Sequence, residues 1–407
     1  MSRILYKNLK GAFTGLGFEK KEGRKVSAED AGFVKGPLHI LVDDVSKKIL
    51  SVSNEDSKAD KVVDCTGLVA TAGFVDSHTH TLFGGARWNE FFLRWSGADY
   101  AEINAAGGGI RKTFSDTRAA SDSELKKKFH VDLEAMRSDG VRLLEVKSGY
   151  GESIEEEFRI LKLIQELKKE SAIEIELCST FLGLHAIPKT TDEKTWTLLA
   201  IAALEKIKNE NLADFVDSFP EKGFFSLDSA KNFSKAAIAL GFKVKFHADE
   251  MTHMGASELG AELGAVSVDH LQKISDRALE LLSKSSTVAT LLPATSFYLG
   301  IDYAPARKIV DSGARVALAS DYNPGTAPNA SLLFTAMLAA SQMKLSPAEI
   351  LCGITYNAAA ALAKSKEYGL IKEGYSSKIL LWDLSTEDHL EEILLSGTRP
   401  IALSTQA

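Results

Sequence analysis

The sequence predicts an α/β fold: a (β/α)₈ barrel with a small β-sandwich domain formed by both ends of the chain. Between about Leu68 and Lys364, eight strand-like apolar runs alternate with amphipathic helical runs. This alternation is typical of a parallel sheet that closes into a barrel. Histidine and carboxylate side chains recur where these runs end, and barrel active sites form at the carboxyl ends of the strands.

The predicted barrel strands are short, apolar and rich in β-branched residues. They are Phe74–His80, Arg142–Lys147, Ile173–Leu184, Ala213–Ser218, Lys243–His247, Ala265–His270, Ser286–Leu292 and Arg315–Asp321. Helix signals lie between them. Ser121 and Glu124 form a capping-box pattern, and Gly241 suits the end of a helix just before the fifth strand.

The small domain is expected from residues 1–68 and 365–407, with the barrel spanning 69–364. Short strand-like runs such as Leu38–Val42 and Lys378–Trp382, bounded by turn residues, occur in both terminal stretches. Two strand-rich ends around a long strand–helix repeat indicate that the ends pair with each other.

The composition is that of an ordinary globular protein, with 45% hydrophobic and 25% charged residues. A net charge of −7 and the lack of a basic block argue against nucleic acid and anionic membranes as partners. The three cysteines, Cys65, Cys178 and Cys352, are widely spaced, which favours a reducing compartment. With no signal peptide or apolar span in the sequence, we expect a cytoplasmic protein.

The most specific motif is His78-Thr79-His80 at the end of the first strand. Residues i and i+2 of a strand project from one face, so both imidazoles can reach one metal ion. His247 and Asp321 end the fifth and eighth strands and complete a set of four ligands. Zn²⁺ or Fe²⁺ bound there would lower the pKa of water toward about 7, which supplies a nucleophile for hydrolysis.

Three residues of this end are candidate catalytic groups. Asp321 can take a proton from the attacking water and pass it to a leaving nitrogen. His270, at the end of the sixth strand, can polarise a carbonyl or shuttle a proton, or it can serve as a hydrogen-bond partner behind the ligands. Glu250 can accept a hydrogen bond from a substrate ring N–H; the alternative is a solvated loop acid.

The loops after the strands supply candidate substrate contacts. Arg87 follows the histidine motif and suits a substrate carboxylate, whereas a surface ion pair is the alternative. Tyr150 lies between two glycines, and a polar tight turn follows Asp321. Some metallohydrolases bridge two metals with a carboxylated lysine, which by resemblance to those enzymes would end the fourth strand. No lysine ends the fourth strand here, and Lys147 ends the second. We therefore expect a single ion.

Seven segments together resemble the imidazolonepropionase family of the amidohydrolase superfamily, over nearly the whole chain. They are Asp76–His80, Phe83–Arg87, Asn104–Ile110, Glu145–Gly151, His247–Glu250, Val268–Leu271 and Ser320–Gly325. The resemblance implies hydrolysis of 4-imidazolone-5-propanoate to N-formimidoyl-L-glutamate, the third step of histidine degradation. It also implies a homodimer.

The resemblance assigns metal binding to the same four ligands, His78, His80, His247 and Asp321. It places further residues at the substrate or product: Arg87, Tyr150, His185, Glu250, Asn323, Gly325 and Thr326.

Two other functions fit part of the pattern. An aminohydrolase acting on a purine or pyrimidine ring would share the metal set and the fold, but a neutral base has no need for Arg87. A non-enzymatic scaffold on the same barrel is the second alternative, and such proteins commonly lack one or more ligands. Every ligand position of this chain is filled, which favours an enzyme.

Overall fold

A computed structural model describes residues 2–97, 102, 108–170 and 173–401 of the chain. Four residues of the Asn104–Ile110 motif, 104–107, lie outside this description, as do Met1 and the last six residues of the predicted small domain. Two β-sheets organise the described residues: an eight-stranded parallel sheet and a six-stranded mixed sheet.

The strands of both sheets are numbered in chain order. The strands are β1 Arg3–Phe13, β2 Phe33–Asp43, β3 Lys48–Ser53, β4 Lys61–Asp64, β5 Leu68–Ala72, β6 Phe74–Asp76, β7 Val141–Lys147, β8 Glu176–Leu184, β9 Phe215–Ser218, β10 Lys243–Ala248, β11 Ser267–His270, β12 Val288–Leu291, β13 Arg315–Leu318 and β14 Ile379–Asp383.

Helices alternate with the strands of the parallel sheet. The α-helices described are Leu16–Lys20, Trp88–Trp95, Ile110–Ala119, Asp122–Ser138, Ile154–Leu167, Glu193–Asn209, Leu227–Ala239, Ala256–Glu262, Asp276–Lys284, Pro293–Leu299, Ala306–Ser312, Leu332–Ser341, Pro347–Ile354, Tyr356–Ala361 and Leu390–Leu395, with a 3₁₀ turn at Ala28–Ala31. Both predicted helix signals are confirmed. Ser121 and Glu124 form a capping box, and Gly241, at φ 76°, follows the helix that ends at Ala239.

The eight strands β6 to β13 pair in parallel and in chain order, each with its successor. The extended segments that follow the first and last strands also meet, through a bridge between Thr79 and Tyr322. The amide of His80 donates to the Tyr322 carbonyl at 2.9 Å, and the amide of Asp321 donates to the His78 carbonyl at 3.0 Å. The predicted barrel is confirmed, and its closure brings the histidine motif beside Asp321.

Each predicted run overlaps one barrel strand. Six of these strands are shorter than predicted, and β7 and β10 are each one residue longer. The first strand ends at Asp76 and the last at Leu318. His78, His80 and Asp321 therefore lie on extended segments just beyond the strands. These strands are buried along nearly their whole length, as expected of a parallel sheet covered by helices.

The mixed sheet contains both ends of the chain, as predicted. Its order is β14-β5-β1-β2-β3, with β4 beside β1. Side chains such as Leu9, Ile40 and Leu381 form its apolar core. Trp382 of β14 packs on Phe74 of the first barrel strand, with ring centroids 5.8 Å apart, so the sheet contacts the barrel. The proposed domain boundaries, 68/69 and 364/365, stay a prediction.

All three cysteines are buried free thiols. Within the described parts of the chain, no helix combines the length and apolarity that crossing a membrane requires.

Candidate metal and substrate site

The barrel brings the four predicted metal ligands into one buried group. The ring of His78 lies 5.4 Å from that of His80 and 4.6 Å from that of His247, measured between centroids. Asp321 Oδ1 lies 3.5 Å from His78 Nε2 and 3.6 Å from His80 Nε2. His270 joins the group, because its ligand nitrogen and those of His78 and His247 lie within 4.8 Å of one another.

Hydrogen bonding around His78 supports a metal at this point. Its Nδ1 lies 2.7 Å from Asp269 Oδ2, so the ring N–H donates to that carboxylate. The opposite nitrogen, Nε2, is buried without a hydrogen-bond partner and faces the other ligands. A buried lone pair without a partner is costly, and a divalent ion would satisfy it. The residues present therefore fit a metal ion.

Burial also keeps His78 and His80 in the neutral form that a metal ligand needs. Desolvation, followed by the positive charge of Lys147, holds the pKa of His78 well below its usual range. Desolvation and the neighbouring His185 do the same to the pKa of His80. Both rings are therefore neutral at physiological pH, which is the form that binds metals.

Asp321 occupies a strained backbone position. Its φ is 53°, in the left-handed region that non-glycine residues seldom adopt, and strain of this kind is concentrated at functional sites. The hydroxyl of Thr295 donates to Asp321 Oδ2 at 2.5 Å, which leaves Oδ1 facing the histidines. Burial raises the pKa of the Asp321 carboxyl to about 6.

The barrel interior behind the histidines contains charged residues whose ion pairs the sequence interpretation missed. We call Glu145, Lys147, Asp217, Lys245 and Asp269 the buried ion cluster; all five are fully buried. Lys147 Nζ lies 2.7 Å from Asp217 and 3.0 Å from Glu145. Lys245 Nζ lies 2.7 Å from Glu145 and 3.8 Å from Asp269.

The buried ion cluster contacts two of the candidate ligands. Asp217 Oδ2 lies 3.1 Å from His247 Nδ1, and Asp269 holds His78. Burial opposes the charge of Lys147, but the carboxylates of Asp217 and Glu145 outweigh it and raise the pKa of Lys147. Lys245 lies two positions before His247 on the same strand, so both side chains face the barrel interior. This spacing was the signal that could have identified Lys245.

A cavity of about 340 Å³ opens next to the histidines. Ten of the predicted site residues line it: His80, Arg87, Tyr150, His185, His247, Glu250, His270, Asp321, Asn323 and Thr326. His78 lies behind the wall, fully buried. Arg94, Phe219 and Leu299 also line the cavity and were not predicted. The roles assigned to all these residues remain predictions.

Arg87 is fixed by a buried carboxylate. Its Nε donates to Glu90 Oε1 at 2.8 Å and its Nη2 to Glu90 Oε2 at 2.6 Å. Gly325 does not line the cavity but packs against this guanidinium: a Cβ at position 325 would lie 2.0 Å from Arg87 Nη1. A side chain at position 325 would therefore displace this guanidinium, and the contact of Gly325 with substrate or product stays a prediction.

Tyr150 and His185 form one wall of the cavity, with ring centroids 5.5 Å apart. His185 Nδ1 lies 2.9 Å from the Gly149 carbonyl, so its other nitrogen is available to a ligand. Desolvation and the adjacent His247 lower the pKa of His185 to about 4, and the ring is neutral. Glu157 holds this loop by accepting hydrogen bonds from the amides of residues 149 and 151.

Asn323 and Thr326 build the turn after Asp321. Asn323 Nδ2 donates to the Asp321 carbonyl at 2.7 Å, and its Oδ1 accepts from the amides of Gly325 and Thr326, both at 2.8 Å. These bonds use most of the Asn323 side chain. The Asn323 side chain thus stabilises the strained backbone at Asp321, and it also lines the cavity.

Glu250 and His270 face each other, with Glu250 Oε1 3.6 Å from His270 Nδ1. Burial, with the negative charges of Asp321 and Glu221, raises the pKa of Glu250 to about 8. His270 has a φ of 84°, again in the left-handed region. The solvated-acid alternative for Glu250 does not fit its burial in the cavity wall.

Comparison with known proteins gives a consistent result. Residues 69–403 match the model of the amidohydrolase family. An imidazolonepropionase of Caldanaerobacter subterraneus subsp. tengcongensis is 42% identical over 348 residues, which covers 84% of this chain and 83% of that protein.

Among solved structures, a triazine hydrolase variant superposes with a TM-score of 0.73 at 15% identity, covering 99% of this chain and 94% of the other. Guanine deaminase of C. acetobutylicum gives 0.72 at 15% identity, covering 98% and 96%. At this identity the two structures support the fold alone.

Proposed function

This chain belongs to the imidazolonepropionases of the amidohydrolase family, and we propose that its cavity hydrolyses 4-imidazolone-5-propanoate to N-formimidoyl-L-glutamate in histidine degradation. The proposal rests above all on one juxtaposition. A buried His/Asp group that fits a metal ion and a fixed guanidinium, Arg87, line the same cavity of about 340 Å³. The substrate has matching ends: a cyclic amide to be opened and a carboxylate tail.

The ion, when bound, supplies an activated water and polarises the amide carbonyl. We propose one Zn²⁺ or Fe²⁺ per subunit, held by His78, His80, His247 and Asp321. The buried ion cluster supports a single ion. Lys147 Nζ lies 2.7 Å from Asp217 and neutralises this carboxylate, so Asp217 is not free to bind a second ion.

Asp321 then moves the proton. Its carboxylate takes the proton of the attacking water while the water oxygen bonds to the carbonyl carbon. When the ring C–N bond breaks, the same proton passes to the leaving nitrogen. The carboxyl formed at the carbonyl carbon loses its own proton to solvent, so the single ring-opened product carries a carboxylate and a formimidoyl group. A carboxylate beside the bound ion is placed both to accept this proton and to return it.

The other polar residues hold the substrate. His270 hydrogen-bonds the carbonyl oxygen as charge develops on it, and Glu250 accepts the ring N–H. Tyr150 and His185 form the wall against which the flat ring lies. Arg87 binds the propanoate tail, and its attachment to Glu90 fixes its direction before substrate arrives.

Loss of the ultraviolet absorbance of 4-imidazolone-5-propanoate on incubation with purified protein tests this function. We expect turnover that stops after chelation and returns when Zn²⁺ or Fe²⁺ is added back. Folded, metal-loaded protein that leaves the absorbance unchanged would overturn the proposal and direct attention to ring deamination, measured as ammonia released from guanine or cytosine.

We also propose that the protein is a homodimer, as the family resemblance suggests, and that it is cytoplasmic, as the three free cysteines suggest. Light scattering coupled to gel filtration, expected to give twice the 44.1 kDa chain mass, checks the dimer.

A further inference from the structure

A second cavity adjoins the proposed substrate cavity. Its volume is about 1030 Å³, and Ile110, Phe224 and Met251 line both cavities. Met251 is 45% exposed, so solvent reaches the wall that the two cavities share. We call the second cavity the vestibule; it is lined by Met251 and by residues of three segments, 108–116, 186–189 and 222–224.

Most charged side chains of the vestibule are basic. Among the described residues, Arg111, Lys112, Lys189 and Lys222 line it, against one acid, Asp116. The chain as a whole carries a net charge of −7. The charges around the vestibule are thus opposite in sign to that of the whole chain.

Two of these cations are neutralised by nearby acids. Lys112 Nζ lies 2.7 Å from Asp116 Oδ2, and Arg111 Nη1 lies 3.1 Å from Glu152 Oε1. The two charges of such a pair largely cancel at a distance. These pairs therefore contribute little attraction for a ligand outside the cavity.

Lys189 and Lys222 carry the other two positive charges. Both are exposed, and neither has an ion-pair partner in the part of the chain that the structure describes. Glu221, next to Lys222 in the chain, is buried, and its carboxylate accepts hydrogen bonds from the amides of residues 222, 251 and 252. The carboxylate of Glu221 is therefore stabilised by backbone amides, and the two lysine charges face solvent unpaired.

We propose that the vestibule is the entrance to the substrate cavity and that Lys189 and Lys222 attract anionic substrates into it. A cleft lined by one sign of charge raises the local concentration of oppositely charged ligands and their rate of association. The inference rests on the proposed function and extends it, because the propanoate carboxylate gives the substrate its negative charge. Flexible, hydrated lysines suit attraction at a distance, whereas the planar guanidinium of Arg87 suits direct binding of the carboxylate.

A thiol placed in the vestibule measures its charge without turnover. Ser115 lines the vestibule and is exposed, whereas the three native cysteines are buried, so Ser115→Cys provides a single accessible thiol. Its reaction rate with 5,5′-dithiobis(2-nitrobenzoate), a dianion, is divided by its rate with the neutral 4,4′-dithiodipyridine. Both reagents react with the thiolate, so the ratio is independent of the pKa of the thiol.

The double variant Lys189→Gln/Lys222→Gln, made in Ser115→Cys, should lower this ratio by about 3- to 10-fold at an ionic strength of about 0.02 M. The difference should disappear in about 1 M salt, where charges are screened within about 3 Å. Lys58→Gln/Lys61→Gln is the matched control. Both of these lysines are exposed residues of the small domain without a described ion-pair partner, and their loss changes the net charge equally. The control should keep the ratio of Ser115→Cys.

Stopped-flow tryptophan fluorescence then measures how fast ligands reach the substrate cavity of the metal-loaded protein. Without the Ser115 substitution, Lys189→Gln/Lys222→Gln should lower the association rate constant of 3-(imidazol-4-yl)propanoate by about 2- to 5-fold at an ionic strength of about 0.02 M. The rate constant of the neutral amide of this ligand should not change.

An unchanged thiol ratio in Lys189→Gln/Lys222→Gln would overturn the inference. A lowered ratio with an unchanged association rate constant would also overturn it, because the ligand would then enter by another route. Neither measurement needs turnover. A chain that shows both effects but does not hydrolyse 4-imidazolone-5-propanoate would contradict the proposed function alone.

Discussion

The two ends of the cavity are built differently. At one end, which we call the metal end, the proposed ligands His78, His80, His247 and Asp321 lie at or just beyond the ends of barrel strands, and the buried ion cluster contacts two of them. At the other, which we call the tail end because we propose that Arg87 binds the propanoate tail there, Arg87 and Arg94 belong to a loop and one helix, and Glu90 lies close to both. The metal end is thus positioned by the barrel itself, whereas the tail end depends on a few local contacts. Substitutions at the two ends should differ in kind.

The largest effect is expected at the metal end, from Asp321→Asn. An amide cannot take the proton of the attacking water, so kcat should fall by about 10²- to 10⁴-fold. Turnover is measured with metal content equalised by elemental analysis, so that lost metal is not mistaken for lost chemistry. A kcat within threefold of the native value would show that another group moves the proton.

The next effect concerns the support behind the ligands. Lys147→Met leaves Asp217 without its lysine partner and Glu145 with Lys245 alone, and breaking a buried pair in this way costs about 3–5 kcal/mol of the free energy of unfolding. Urea denaturation of the metal-loaded protein measures the loss.

Lys206→Met is the matched control, because its pair with Glu210 is exposed and 3.8 Å long. It should change the free energy of unfolding by less than about 1 kcal/mol. Equal losses in both variants would mean that the buried ion cluster does not hold the metal end together.

The same contrast explains what the sequence could predict. The His78/His80 spacing, the strand-like runs before His247 and Asp321, and the order of strands and helices are local patterns with fixed periods. They predicted the barrel and which residues meet. The ion pair between Lys147 and Asp217 joins residues 70 positions apart, and no local period encodes it.

At the tail end, the sequence predicted which residue faces the substrate but not the residues around it. Arg87 was identified from its place after the histidine motif, yet Arg94 was missed because a helix face is recognised only when its neighbours are known. Gly325 was assigned to substrate or product, and its close approach to Arg87 Nη1 was not foreseen. The ends of the first and last strands were placed too late, since His78 and Asp321 lie on extended segments that continue after regular pairing stops.

Arg87→Ala tests the local character of the tail end. It removes a contact made equally in the ground and transition states, so KM for 4-imidazolone-5-propanoate should rise by about 10- to 100-fold with kcat little changed. Metal content should stay near native, whereas the urea midpoint should fall, because Glu90 loses the closest partner of its buried ion pair. Loss of metal in Arg87→Ala would show that the two ends are coupled after all.

The smallest effect is expected from pH, at Glu250, which lies between the two ends. Its folded-state pKa is raised to about 8, so the carboxyl is largely protonated at pH 7 and becomes a carboxylate above pH 8. The carboxylate accepts the substrate N–H in a charge-assisted hydrogen bond, which is stronger than the bond that the protonated carboxyl accepts. The ratio kcat/KM, which reports groups of the free enzyme, should therefore rise by about tenfold between pH 7 and pH 9. Glu250→Gln, whose amide oxygen accepts at any pH, should have a flat profile over this range. A native profile that falls across the same interval would make Glu250 a proton donor, and part of the proton transfer would then belong to Glu250 and not to Asp321 at the metal end.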